Sequence, residues 1–298
     1  PLDESKRRHI ERMYGLYDEF EQVLRPEHDR IDACRQIFEL NDPAAGEHEP
    51  QLPVILSTIQ NKIADQMDNM PEAVLTPENP QMQQYAEDAT DMVRWVFERN
   101  DIDIMYQQLT EDFYVVGCAV MQLHWDEDMD GGQGGIRIMR VPIDGMVWDP
   151  TAKNIQSCRA IFKTAFHPRG WYEEHYPEAG RYVHPDSYRD PRRETLTRDT
   201  DVMMLECWWR EYDAAAEQYR VHVSHMAGRV LLYDSRDDFP EGVYAHGEYP
   251  FAMCTYREAV SSLRGRSCVE DYVELNRYAN RNAKYIDWAT RFAARPKL

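Results

Sequence analysis

Two short runs, Val120-Met121-Gln122-Leu123-His124-Trp125 and Ile136-Arg137-Ile138-Met139-Arg140-Val141, flank an acidic, glycine-rich stretch, and their reading decides the fold. In both, apolar side chains tend toward a period of two, as in strands with one buried face, and the glycines between them supply a reversal. The spacing predicts a β-hairpin. Upstream of about Cys118 the period is helical instead. Helices are expected over 2–24, ending before Pro26, then over 27–40, and over 53–70, where Pro53 suits a first helical position. An acidic loop containing Pro and Gly separates the last two. A short extended segment at 73–76 leads into helices over 81–99 and 102–116.

Downstream of the hairpin, strands are expected at 159–166, 202–212, 218–225, 229–233 and 251–256, with a short helix at 168–176. Trp148-Asp149-Pro150 reads as a turn. Residues 177–200 are rich in Pro, Asp and Arg and lack periodicity, which predicts an exposed loop whose Arg181, Arg189, Arg192, Arg193 and Arg198 are candidates for touching a neighbour or facing solvent. The fold class is therefore α+β: a helical N-terminal part (1–110), an antiparallel β-rich part (111–261) and a long C-terminal helix (262–298).

Ser267-Cys268-Val269-Glu270 has the capping-box pattern, in which the serine hydroxyl and the glutamate carboxylate each satisfy a free backbone amide at a helix start. A helix from there to Ala294 would be about 40 Å long at ~1.5 Å per residue. At about 100° per residue, Tyr272, Leu275, Ala279, Ala283, Ile286 and Ala293 share one face, while Arg277, Arg281, Lys284, Arg291 and Arg295 share the opposite one. The alanines permit close helix packing. The basic stripe is a candidate for facing DNA, a channel lumen, an acidic neighbour or solvent.

Composition narrows the function. Apolar residues make up 43% and charged residues 29%, which suits a folded globular chain. The longest apolar stretch, 113–121, is far shorter than the roughly 18 residues of a membrane span, and no membrane partner is expected. Six dispersed cysteines form no CxxC pair, so neither a zinc ribbon nor a disulfide framework is indicated. With 34 basic and 53 acidic residues, a net charge of −19 opposes tight phosphate binding. That charge is uneven: residues 257–298 hold nine Lys/Arg against five Asp/Glu, which leaves 25 against 48 in the first 256, or +4 against −23.

The usual catalytic arrangements are missing. GxxxxGK[ST], HExxH, GxSxG and GxGxxG do not occur, so no enzymatic activity, catalytic residue or cofactor is expected. His222 and His225 are three apart on an expected strand and would point to opposite faces. Asp149 and Glu206 resemble a nuclease's carboxylate pair but lack the lysine that usually follows. Asp126, Asp128 and Asp130, with Gly131, copy the first half of an EF-hand loop. Arg137 then stands at position 12, where a glutamate is required, and no metal is expected.

The order of these pieces resembles the portal proteins of tailed bacteriophages, especially the large portals of short-tailed phages. Asn61-Lys62-Ile63-Ala64-Asp65 through Pro71-Glu72, then Ala86-Glu87-Asp88-Ala89 and the Asp112 to Ala119 stretch with Gly117, are similar to that family's helices leading into its wing. Trp125-Asp126, the glycine-rich turn, Trp148-Asp149-Pro150-Thr151-Ala152, Tyr249-Pro250-Phe251 and Ser262-Leu263-Arg264-Gly265-Arg266-Ser267 continue the likeness as far as Glu274-Leu275-Asn276-Arg277-Tyr278-Ala279-Asn280.

The resemblance implies a structural subunit of a ring, usually dodecameric, at one capsid vertex. Such a ring forms the channel for packaging and ejection of double-stranded DNA, which passes non-specifically. It docks the large terminase (the packaging ATPase), meets the major capsid or scaffolding protein, and seats head-completion or tail adaptor proteins. Residues 1–261 would form the wing and 267–294 the first stem helix, located in the virion and, during assembly, in the host cytoplasm. The chain opens at Pro1 and carries no clip or returning stem helix, so a fragment with weak or absent self-assembly is expected. Competing readings are another virion structural protein, such as a head-tail adaptor, and a carboxylate-dependent enzyme assembled by folding.

Overall fold

The computed structural model describes residues 4–184, 201–214, 216–260 and 262–294. It is α+β with antiparallel sheets, and it divides into two compact units that interleave along the chain: residues 1–28 with 143–250, and residues 29–142 with 251–298.

The first unit is built on a five-stranded antiparallel sheet. Its strands are β3 (Met146–Trp148), β4 (Ala160–Pro168), β5 (Asp201–Asp213), β6 (Gln218–Ala227) and β7 (Val230–Asp234), hydrogen-bonded in that order. β5 is central, and Val202 to Leu205 and Cys207 to Trp209 are buried without alternation, as expected of a strand covered on both faces. Met13, Tyr17 and Phe20 of helix α1 (Glu4–Phe38) are buried in this unit, and the Tyr17 ring meets Phe162 of β4 edge-on at 5.6 Å. His9 Nε2 lies 3.2 Å from Ser224 Oγ. Helix α6 (Arg169–His175) contributes Tyr172, which packs with Val183, Val202, Met204 and Ala227 and donates its hydroxyl to the Val202 carbonyl at 2.7 Å.

Val183 corrects the expectation of a wholly exposed 177–200 loop. A helical turn at Gly180–Tyr182 delivers that side chain into the core. Arg181 lies over the Tyr182 ring, while Arg189, Arg192, Arg193 and Arg198 lie outside the described residues. β3 was not expected: three residues are too few to show a period, and the strand ends where the anticipated turn at Asp149-Pro150 begins.

The second unit contains the remaining turns of α1, then α2 (Val54–Met67), α3 (Gln83–Arg99) and α4 (Ile102–Val115). Its three-stranded antiparallel sheet runs β2-β1-β8, from β1 (Cys118–Asp126), β2 (Gly135–Arg140) and β8 (Phe251–Thr255). The predicted hairpin is present, with Leu123 opposite Ile138 and Trp125 opposite Ile136. Its tip is a short helical turn, α5 (Met129–Gly132), in which Asp130 and Gly131 have positive φ. Ile55, Ile59 and Ile63 form the buried stripe of α2. A second hairpin, β9 (Arg257–Ala259) with β10 (Ser262–Arg266), leads into α7 (Cys268–Ala293).

One further expectation needs correction. The chain does not break at Pro26, because α1 is one 35-residue helix with that proline inside. Proline removes one i→i−4 hydrogen bond, but buried residues recur at helical spacing on both sides of it (Phe20, Leu24, Glu27, Ile31, Cys34), so packing outweighs the local penalty. The segment at 73–76 joins no sheet among the described residues, and its Leu75 N–H donates to Thr90 Oγ1 of α3 at 3.0 Å. Among the described residues no helix is long and apolar enough to cross a membrane.

Candidate functional site

Helix α7 begins in a network that the local sequence only half reveals. Ser267 Oγ accepts from the Glu270 N–H at 3.0 Å and a Glu270 carboxylate oxygen accepts from the Ser267 N–H at 2.7 Å, so the predicted capping box is formed. The same carboxylate receives both terminal nitrogens of Arg264 at 3.1 Å, and Arg264, 1% exposed, also donates to the Val116 carbonyl at 2.5 Å. Burial alone would raise the Glu270 carboxyl, but the Arg264 guanidinium and the Ser267 amide outweigh it and hold it below the usual carboxylate range.

Two glycines make this junction possible. Gly117 has φ +96°, and a Cβ there would stand 2.9 Å from the Arg266 carbonyl carbon. Gly265, at φ +76°, would put a Cβ 2.2 Å from the Arg257 carbonyl oxygen. Only glycine allows backbone to approach backbone this closely in this conformation. Asp271 then receives Arg257 at 2.9 Å, adding a second acid to a helix start whose free amides favour negative charge.

Further along, α7 is held by polar side chains, while Tyr272, Leu275 and Ala279 of its apolar face border a small cleft beside Val54, Ile55 and Thr58 of α2. Arg277 makes a two-pronged pair with Asp42 at 2.7 and 2.8 Å, the Leu52 N–H donates to Asn280 Oδ1 at 2.9 Å, and Lys284 Nζ donates to the Glu47 carbonyl at 2.7 Å. All three partners belong to the acidic loop at 39–53. The Arg277 guanidinium lowers the Asp42 carboxyl from its ordinary range. A bidentate arginine pair and a buried asparagine supply fixed geometry that apolar contact would not, which leaves Leu275 and Ile286 about two-thirds exposed.

The expected basic stripe is therefore divided. Arg277 and Lys284 are committed to the chain's own loop, Arg291 bonds to Asp287 at 3.0 Å, and Arg281 is exposed with no ion-pair partner among the described residues. Arg295 lies outside the described residues. The outward side also carries Tyr278, Tyr285, Trp288 and Phe292, each at least 60% exposed, and the Trp288 and Phe292 rings stack at 5.7 Å. Sequence reasoning overlooked this aromatic row because it was sorted by charge rather than by heptad spacing.

The remaining candidates are each engaged locally. Asp126 pairs with Arg137, the residue at the failed twelfth position, while Asp130 pairs with Arg99, and Asp126 Oδ1 also accepts the Asp128 N–H at 3.1 Å. Among the described residues no three His, Cys, Asp or Glu side chains gather as metal ligands. Asp149 is bound by Arg159 at 2.5 Å and by the Thr151 hydroxyl at 2.7 Å; burial opposes ionisation, but these bonds prevail and bring its pKa to about 2. Glu206 takes Lys163 and the Trp208 indole. His225 Nδ1 lies 2.6 Å from the Tyr176 hydroxyl, while His222 tilts over Trp209, so the two imidazoles do not converge.

Against known families, a model described as phage P22-like portal protein matches residues 40–272. The chain belongs to the P22-like portal protein family. The match covers most of the chain and reaches into the first turns of α7. Portal proteins are structural components of the phage. Among curated proteins no match is found.

Proposed function

We propose that this portal protein is one subunit of a ring at the capsid vertex that forms the channel for DNA packaging and ejection and docks the large terminase and the tail or head-completion proteins. The observation that carries the reading is the family match over residues 40–272. In this reading residues 1–110 and 111–261 make the wing, 262–298 begin the stem, and a dodecamer assembles in the host cytoplasm beside capsid or scaffolding protein before entering the virion. The anchored start and long exposed outer side of α7 support a stem role: a rod fixed at one end can present a surface to a neighbour or a lumen.

Of the five cations suggested by the sequence, Arg281 and Arg291 are the described ones that make no bond to the 39–53 loop, so they are the stronger candidates for DNA or subunit contact. Arg277 and Lys284 act in orienting the helix. Electron microscopy of the gene's full-length product tests the proposal. Closed rings with a central opening are expected, and a protein that stays monomeric at every concentration would overturn it. Charge reversal at Arg281 and Arg291 then separates the two roles: loss of DNA retention with rings intact marks a channel residue, and loss of rings marks a subunit contact.

A further inference from the structure

Two exposed stripes in the second unit match each other in length, spacing and charge. On α7, Tyr278, Arg281, Tyr285, Trp288 and Phe292 alternate at intervals of three and four residues, the a/d pattern of helices that pack side by side with a slight left-handed twist. On α3, Tyr85, Asp88, Met92, Trp95 and Arg99 repeat the same intervals over the same number of residues. Each stripe extends about 21 Å at ~1.5 Å per residue. Tyr85 is 69% exposed, Met92 66% and Trp95 50%, on a helix whose opposite side buries only Ala86 fully. Both stripes are open in the same molecule, so they do not cover one another within a chain.

We infer that α7 of one copy packs in parallel against α3 of a neighbouring copy. In the parallel register Asp88 stands opposite Arg281, and Arg99, already 5.4 Å from the Trp95 ring centre, stands opposite Phe292. The antiparallel register instead separates Asp88 from Arg281 and sets the Asp88 carboxylate against Trp288. The pairing joins two different surfaces of one chain, so it is head-to-tail and propagates from copy to copy around a closed ring. It also places Arg281, which has no ion-pair partner among the described residues, against a helix whose stripe is flanked by Glu87 and Glu98, as complementary interfaces do.

This inference rests on the proposed ring, but its test is separate. In a Cys254→Ser background, which removes the exposed thiol, chains carrying Asp88→Cys are mixed with chains carrying Arg281→Cys and oxidised. The expected result is a disulfide-linked dimer in the mixture and none above background in either variant alone. Dimers from Arg281→Cys alone would mean that α7 packs on α7 and would overturn the pairing, as would a mixture with no cross-link. Rings seen by microscopy without this cross-link would leave the portal assignment standing and remove the α3–α7 contact. As a second arm, Asp88→Arg and Arg281→Asp should each weaken self-association in sedimentation, and mixing the two should restore it. Failure of the mixture to recover would count equally against the proposal.

Discussion

Among single residues, Glu270 carries the most structure. One carboxylate caps α7 through the Ser267 amide and neutralises Arg264, whose side chain has no route to water. Losing a helix cap typically costs about 1 kcal/mol, whereas stripping one partner from a buried ion pair costs about 3–5 kcal/mol. Glu270→Gln keeps the shape but removes the carboxylate charge that faces the buried Arg264 guanidinium, so it should destabilise by about 3 kcal/mol in denaturant unfolding, clearly more than Ser267→Ala. The pH dependence follows in sign. The folded carboxyl lies below its ordinary value of 4.5, so its contribution is complete above that value and disappears as pH falls through the folded pKa. Wild type and Glu270→Gln should therefore converge in stability on acidification below pH 4.5, and a gap that stayed constant would disprove the assignment.

For whole elements, Pro26 offers the sharper test. Because α1 continues through it, replacing it with alanine restores a backbone donor and removes the ring's clash with the preceding turn, which should stabilise the protein by about 1–3 kcal/mol. A drop in melting temperature for Pro26→Ala would show that the proline is required. The same helix marks where the sequence stopped being readable. Signals that depend on near neighbours were legible: the hairpin, the strands β4 to β8, α6 and the capping box. The buried stripe through Phe20, Leu24, Ile31 and Cys34 was also present, but proline's rule as a breaker overrode it. What could not be read were partners distant along the chain, such as Asp42 for Arg277 and Val116 for Arg264. Hydropathy likewise could not show that an asparagine and an arginine with fixed partners anchor α7 while Leu275 and Ile286 stay largely exposed.

Across the whole molecule, the acidic body fits the proposed channel role, in which DNA would pass without being gripped. With a net charge of −19 and Arg277 and Lys284 occupied, the chain should show no binding to double-stranded DNA in fluorescence anisotropy at about 0.15 M salt, where screening acts over roughly 8 Å. Measurable affinity there would show that the exposed Arg281 and Arg291 outweigh the acidic body and would overturn this expectation. The interleaved units also bear on how the protein is made. Residues 1–28 belong with 143–250, and residues 29–142 with 251–298, so the first segment leaves the ribosome with its partners still untranslated. At about 5–20 residues per second, the apolar side of α1 bearing Met13, Tyr17 and Phe20 waits roughly ten seconds or more for its sheet. A nascent chain halted anywhere before residue 250 has finished neither unit, so N-terminal fragments should expose that apolar side and fail to fold alone.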